Sequence, residues 1–231
     1  MTSVPRRAPF VVALIGMVAC SRTANTGRLA NDSRQDDRDF AARAVAEYRQ
    51  RVRLSTDAVA IERLARVARS LVDATKTGGE RDRARDLVWD IVLIDSPDTN
   101  VATFPTGAIF VEAGLLRGLH TDDALAAVIG QAMARALMRH SAEVADNRAA
   151  GQQMLALYGM GGGTSRGDMA TRHTEEADYL GLVLAVDAGY DPDRAVVLFD
   201  ELGLRDRGKR AREHLPALRA KRTEGATTQS E

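Results

Sequence analysis

The stretch "AAVIGQAMARALMRHSAEV", residues 126–144, has apolar side chains at the spacing of an amphipathic helix. Thr121 stands before it as a candidate N-cap, and Asp122 and Asp123 in the first turn favour the positive end of the helix dipole. We therefore predict a helix that begins after Thr121 and runs to about residue 147, with a continuation to residue 158 left open.

The residues before this helix predict a further helical region and a small sheet. Apolar positions recur at helical spacing from about residue 40 to 75, which fits two helices or one broken helix. Dense apolar runs at 87–95 and 101–112 indicate strands, and the second run leads into a short helix. We expect an α+β fold that is mostly helical and has a small β-sheet.

The residues after the quoted helix predict two more helices with defined ends. Residues 172–187 have helical spacing, and Gly189 suits the C-terminal cap of that helix. Asp191 then suits an N-cap and Pro192 the first position of a helix that ends near residue 204.

The composition bounds the class of protein. With 231 residues, of which 45% are hydrophobic and 28% charged, the chain fits one globular domain with tails. It has 32 basic and 32 acidic residues, so its net charge is zero. This balance lacks the basic footprint of a nucleic-acid-binding protein, and we expect no nucleic-acid partner.

The N-terminus has the features of a signal peptide. Arg6 and Arg7 precede an apolar run at residues 10–19 that is too short to span a bilayer. The sequence "MVAC" resembles the lipobox of bacterial lipoproteins, which implies that Cys20 carries the lipid. The alternative is an ordinary secretory signal with an incidental cysteine. Ser21 after the cysteine slightly favours the outer membrane.

These features predict the following organisation and location. The protein is held at a membrane of the bacterial cell envelope through its N-terminal lipid and faces the periplasm, with no transmembrane helix. The expected segments are a lipoprotein signal peptide at 1–19, a flexible tether at 20–37, a folded domain at 38–204 and a charged, partly disordered tail at 205–231.

Three blocks in the region 85–204 together resemble one family, the HtpX-like and CAAX-protease-like zinc metallopeptidases (peptidase family M48). They are "WDIVLIDSPDTNVATFPTGAIFVEAGLL", "DDALAAVIGQAMARALMRHSAE" and "EADYLGLVLAVDAGYDPDRAVVLFDEL". The resemblance implies a metallopeptidase-like, gluzincin-type domain in which two motif helices face each other. The positions that keep the family's residues are Asn100, Pro105, Gly107, His140 and Asp178.

The resemblance also locates the family's zinc site, and the zinc-binding residues are absent from it. Family members bind zinc with the two histidines of an HExxH helix and a glutamate of a later helix, and the glutamate of HExxH is the general base. Gln131 and Arg135 stand at the histidine positions, Ala132 at the base and Thr174 at the third ligand. Arginine does not release its proton to bind a metal and alanine has no base, so we expect no zinc and no other cofactor.

Other residues do not restore a site. His140 lies nine residues after Gln131, about 900° around the helix, and therefore on the opposite face. The one cysteine lies in the signal region, and no Gly-x-Ser-x-Gly motif is present. As a replacement for the metal, we predict a salt bridge from Arg135 to Asp178, with Gln131 bonded to Thr174. The alternative is that the side chain of Arg135 extends to solvent.

The functional prediction is a metallopeptidase-like lipoprotein without hydrolytic activity that binds or scaffolds envelope proteins. An exposed strand edge near the Asn-x-x-x-x-Pro-x-Gly element would take an extended peptide by strand addition. One alternative is an active zinc metalloendopeptidase with a nonstandard site. The other is a purely structural lipoprotein.

Overall fold

The computed structural model of the protein describes residues 39–85, 87–142 and 167–228. The predicted signal peptide, the tether and Cys20 lie outside the described residues, so those predictions are not tested. Within the described part, no helix is both long enough and apolar enough to cross a bilayer.

The first helical region consists of two helices, α1 (residues 39–51) and α2 (Ala58–Thr77). Of the two arrangements that we expected, two helices or one broken helix, the structure has the first. Asp57 caps α2, because its carboxylate accepts hydrogen bonds from the N–H groups of Val59 and Ala60, each at 3.1 Å. The buried face of α2 carries apolar side chains three or four residues apart, which fixes the helix against the core. A four-residue helix, α3 (Arg81–Ala84), follows.

The sheet has three strands in the order β1-β3-β2: β1 (Asp90–Ile94), β2 (Val101–Thr103) and β3 (Ala108–Glu112). Strands β1 and β3 are parallel, whereas β2 and β3 form an antiparallel hairpin. The prediction of a small sheet is therefore confirmed. The single strand expected at 101–112 is instead a hairpin, because the proline at its centre occupies the turn.

Gly107 shapes this hairpin. Its φ of 92° lies in the left-handed region, and a Cβ there would lie 2.7 Å from the carbonyl oxygen of Val88. Its N–H donates to the carbonyl of Phe104 at 3.1 Å, which closes the turn around Pro105. At the open end, the carbonyl of Asn100 accepts from the N–H of Glu112 at 3.1 Å. The Asn-x-x-x-x-Pro-x-Gly element thus spans the whole of strand β2 and its turn.

The two faces of the sheet pack against different helices. Alternate residues of a strand point to opposite faces, so Phe110 lies on one side and Ile109 and Val111 lie on the other. On the first side, Tyr48 of α1 contacts Phe110 edge-on, with ring centroids 4.9 Å apart. The main core lies on the second side. It is formed by α2 and by the two long helices of the fold, together with this face of the sheet.

Two long helices cross at the centre of the molecule: α5 (Asp122–Ala142), which follows the short helix α4 (Ala113–Gly118), and α6 (Gly167–Asp187). Thr121 caps α5 as predicted, accepting from the N–H of Ala124 at 3.1 Å. The expected continuation of α5 lies outside the described residues. Helix α6 begins earlier than the residue 172 expected from its apolar spacing.

Helices α5 and α6 touch through their backbones. A Cβ on Gly130 would lie 2.4 Å from the carbonyl oxygen of Gly181, and a Cβ on Gly181 would lie 2.5 Å from the backbone nitrogen of Gln131. Only two glycines facing each other permit this approach. The pair brings the polar residues beside it into one small region.

The chain after α6 differs from the single helix expected up to residue 204. Gly189, with a φ of 91°, ends α6, and Asp191 caps the next helix as predicted. That helix stops after one turn, and two short helices, α7 (Pro192–Ala195) and α8 (Leu198–Glu201), form. The break falls at two consecutive valines, whose branched side chains disfavour helix, and it lets Phe199 enter the core.

Two further helices replace the partly disordered tail that we expected. Helix α9 covers Arg205–Glu213 and α10 covers Leu215–Thr228. They dock because Ala211 and Leu218 are buried in the main core. The basic residues of α10 pair with acids near the end of α6: Lys221 with Asp187, Arg222 with Asp191, and Arg219 with Asp193.

Candidate functional site

The site begins with Gln131 on helix α5. Its side chain is only 4% exposed, since the crossing with α6 covers it. Ala132, next along the helix, is fully buried, and Arg135, one turn later, is half-buried. Of the three positions that the resemblance aligns with the HExxH motif, two are therefore buried and the third is partly exposed.

Helix α6 supplies the second wall. Thr174 is half-buried, and Asp178, one turn further on, is 6% exposed. A carboxylate this deep in a protein requires a cation or several hydrogen-bond donors to offset its loss of hydration. The identity of that partner decides what the site can do.

The partner of Asp178 is Arg207 on helix α9. The Nε of Arg207 donates to Oδ2 of Asp178 at 2.8 Å, and its Nη2 donates to Oδ1. Nη2 also donates to Oε1 of Gln131 at 3.3 Å. The guanidinium lies over the ring of Phe199, 5.5 Å from its centroid. One planar cation therefore joins α5, α6 and α9 through a two-point pair with a carboxylate.

The predicted replacement for the metal was thus wrong in its partners. Asp178 pairs with Arg207 and not with Arg135, and Oε1 of Gln131 accepts from Arg207 and not from Thr174. The reason is access: α9 docks against α6 and brings a long, flexible side chain to the carboxylate. Arg207 could not be picked out from the sequence, because it stands in a run of charged residues. The only signal that could have pointed to it is the acidic residue on α6, which needs a cation when it is buried.

A small cavity of about 180 Å³ opens beside this cluster. Its walls carry both signs of charge, including the exposed pair of Glu175 with Arg210 at 3.0 Å. The rings of Tyr179 and His214 lie against each other, with centroids 4.6 Å apart. The lining residues are Glu175, Asp178, Tyr179, Arg207, Arg210, Ala211, Glu213 and His214.

The zinc ion that the resemblance implies does not fit these residues. Zinc in proteins takes imidazole, thiolate or carboxylate ligands. Gln131 is a weak ligand, and the carboxylate of Asp178 is already bonded to a guanidinium that also reaches Gln131. Over the described ranges, no three His, Cys, Asp or Glu side chains are grouped so as to hold a metal ion.

The remaining family positions have other places in the structure. Asn100, Pro105 and Gly107 form the β2–β3 hairpin, as described above. His140 lies near the end of α5, and its side chain is not among those that the structure describes.

The fold defines a class: an α+β, metallopeptidase-like domain with two long facing helices. Comparison with known proteins gives the family. The family model for peptidase family M48 matches residues 60–174. The chain belongs to this family.

Individual relatives agree with this assignment. The chain is 33% identical over 125 residues to the mitochondrial metalloendopeptidase OMA1 of Arabidopsis thaliana, which is 50% of this chain and 26% of that protein. It is 33% identical over 134 residues to the protein of the same name in Schizosaccharomyces pombe, covering 51% of this chain and 38% of that protein. The matched part thus spans well under half of the length of these relatives.

The relatives contradict the location that we predicted. We expected a bacterial cell envelope and a periplasmic orientation, whereas these relatives are named mitochondrial proteases and come from eukaryotes. The prediction used only the N-terminal residues. A run with arginines and no acids occurs both in secretory signals and in mitochondrial transit peptides, so it does not separate the two.

Proposed function

We propose that this member of peptidase family M48 does not hydrolyse peptides and instead binds extended polypeptide. The observation that carries the proposal is the guanidinium of Arg207, which is bonded to Asp178 and to Gln131, the residue that the resemblance aligns with a metal-binding histidine. A fixed cation bonded to Gln131 opposes the binding of a metal dication beside it.

The chemistry at the site supports loss of hydrolysis. Peptide hydrolysis by zinc peptidases needs a metal to lower the pKa of a bound water and a carboxylate to take its proton. The methyl group of Ala132 stands where that carboxylate belongs. Arg207 has five N–H donors and no acceptor, so it cannot remove a proton from water.

The sheet supports the binding half of the proposal. Strand β2 lies at one edge of the sheet. The N–H of Phe104 donates to Ala108 of β3, and the carbonyl of Asn100 accepts from Glu112 of β3. Backbone groups alternate along an antiparallel strand, so those of Val101 and Thr103 point away from β3. An extended peptide that pairs with this edge gains backbone hydrogen bonds.

Zinc stoichiometry tests the loss of the metal site. The full chain is incubated with zinc, desalted and analysed by mass spectrometry for metal, and we expect close to no zinc per chain. Close to one zinc per chain would contradict the proposal. The positive control is the chain with the family residues restored and the guanidinium removed, through Gln131→His, Ala132→Glu, Arg135→His, Thr174→Glu and Arg207→Ala.

The second candidate is an active metalloendopeptidase, which the names of the relatives favour. Cleavage of casein by the zinc-treated chain separates the two. We expect cleavage no faster than in a sample with a metal chelator. A chelator-sensitive rate would support the second candidate.

Val101→Pro tests peptide binding at β2. Proline removes the outward N–H of this half-exposed residue and leaves the ladder to β3 intact. Val101→Ala is the matched control, because it shortens the side chain and keeps the N–H. With a fluorescent, unfolded casein fragment, we expect the proline variant to lose at least about tenfold in affinity, and the alanine variant to change little. Equal binding by all three proteins would favour a purely structural role.

A further inference from the structure

A second cavity, of about 430 Å³, lies far along the chain from the residues of the altered metal site. It is formed by the last turns of α2, by α3 and by the residues that enter β1. Its volume falls in the range of small-molecule sites in proteins. The lining residues are Val72, Thr75, Lys76, Arg81, Ala84, Arg85, Leu87 and Trp89.

Part of the lining is apolar. Leu87 is 8% exposed, and Val72, Ala84 and Trp89 are half-buried. These side chains belong to the edge of the main core, so their positions are fixed by packing against it. An aliphatic or aromatic group placed against them would leave water without requiring the core to rearrange.

Among the described residues that line the cavity, the charged side chains have a single sign: Lys76, Arg81 and Arg85 are cationic, and none of the described lining residues is acidic. The acids nearby pair with two of them at the surface, Asp73 with Lys76 at 2.6 Å and Asp82 with Arg85 at 2.9 Å. Exposed pairs of this kind contribute little and exchange readily. Arg81 forms no ion pair within the described part of the chain.

We propose that this cavity binds a small amphiphilic carboxylate, a single aliphatic chain with a terminal anionic group. The chain would lie against Leu87 and Trp89, and the carboxylate would pair with the guanidinium of Arg81. Arginine matches a carboxylate with two parallel N–H donors, which favours a carboxylate over a neutral polar group. The proposal is independent of the function inferred for the altered metal site, since the two sets of residues do not overlap.

Trp89 provides the measurement, because it is the one tryptophan of the chain and it lines the cavity. The full chain is titrated with monomeric dodecanoate while tryptophan emission is recorded. We expect a saturable change, at least tenfold weaker binding of dodecanol, and no response to dodecyltrimethylammonium.

Two variants locate the anionic group. Arg81→Gln is expected to weaken dodecanoate binding at least tenfold and to leave dodecanol binding unchanged. Arg83→Gln is the matched control: it removes the same charge from the same short helix, but Arg83 pairs with Glu80 and does not line the cavity. Ala84→Phe fills the apolar part and should abolish binding of both compounds. Unfolding curves confirm that each variant is folded.

Several outcomes would overturn the proposal. They are the absence of a saturable response to dodecanoate, equal affinities for dodecanoate and dodecanol, and equal effects of Arg81→Gln and Arg83→Gln. Vesicles of anionic phospholipid form the last arm. A tryptophan response to the vesicles with none to monomeric dodecanoate would assign the surface to a membrane and not to a free carboxylate.

Discussion

Replacing Arg207 with alanine is expected to destabilise the protein by about 3 kcal/mol, because it leaves a buried carboxylate without its cation. The side chain of Asp178 is 9% exposed and that of Arg207 is 22% exposed. Breaking a fully buried pair costs roughly 3–5 kcal/mol. Water reaches part of the guanidinium, so we place the expected loss at the lower end of that range.

The loss is measurable by urea unfolding followed by far-ultraviolet circular dichroism at pH 7. In thermal unfolding of a protein of this size, the same loss of about 3 kcal/mol corresponds to a decrease in Tm of roughly 6–12 °C. Arg205→Ala is the matched control, since Arg205 is exposed at the start of the same helix. Its effect should stay within about 0.5 kcal/mol.

A double-mutant cycle separates the ion pair from the loss of packing over Phe199. Asp178→Asn removes the charge that needs Arg207, so the double variant should be more stable than the sum of the two single effects predicts. We expect a coupling energy of about 2 kcal/mol. A coupling near zero, or a change below about 0.5 kcal/mol in Arg207→Ala, would refute the reasoning. A coupling energy of the same size between Arg135 and Asp178 would instead support the salt bridge that we first predicted.

Two further predictions concern stability. Gly130→Ala should destabilise the protein by about 1–3 kcal/mol, because the added Cβ would overlap Gly181. Gly225→Ala should stabilise it by up to about 1 kcal/mol, because the space around Gly225 is open. Thermal unfolding measures both effects. Partial burial raises the pKa of Asp122, but hydrogen bonds from two arginines outweigh it and the net pKa is lowered. The folded state therefore binds this proton less readily than the unfolded chain, so the stabilisation is present above about pH 4 and is lost as the pH falls through the lowered pKa. Asp122→Asn should accordingly lower the Tm at pH 7 and have little effect near pH 2, and an equal decrease at both would contradict the assignment.

The features that the sequence predicts correctly are local ones. Thr121 and Asp191 cap helices because a short polar side chain reaches N–H groups two or three residues away. Gly189 ends α6 because only glycine adopts a positive φ at little cost. In each case the cause lies within one turn of the residue, and the pattern alone contains it.

The cluster at the altered site could not be predicted, because it depends on distant contacts. Arg207 is 29 residues from Asp178 and 76 from Gln131 along the chain. Its docking follows from the burial of Ala211 and Leu218, two apolar side chains in a strongly charged segment. So few apolar residues give no clear helical period, and the segment therefore resembled a disordered tail.

The cluster explains how the family fold persists with different residues at its metal site. A metal ion joins helices through directional bonds to several ligands, and a guanidinium with five fixed N–H donors can do the same for carboxylate and amide oxygens. The two cations differ in chemistry: arginine accepts no electron pair and cannot polarise a carbonyl as a Lewis acid does. Under the function that we propose, the guanidinium therefore cross-links α5 and α6 without supplying the chemistry of hydrolysis.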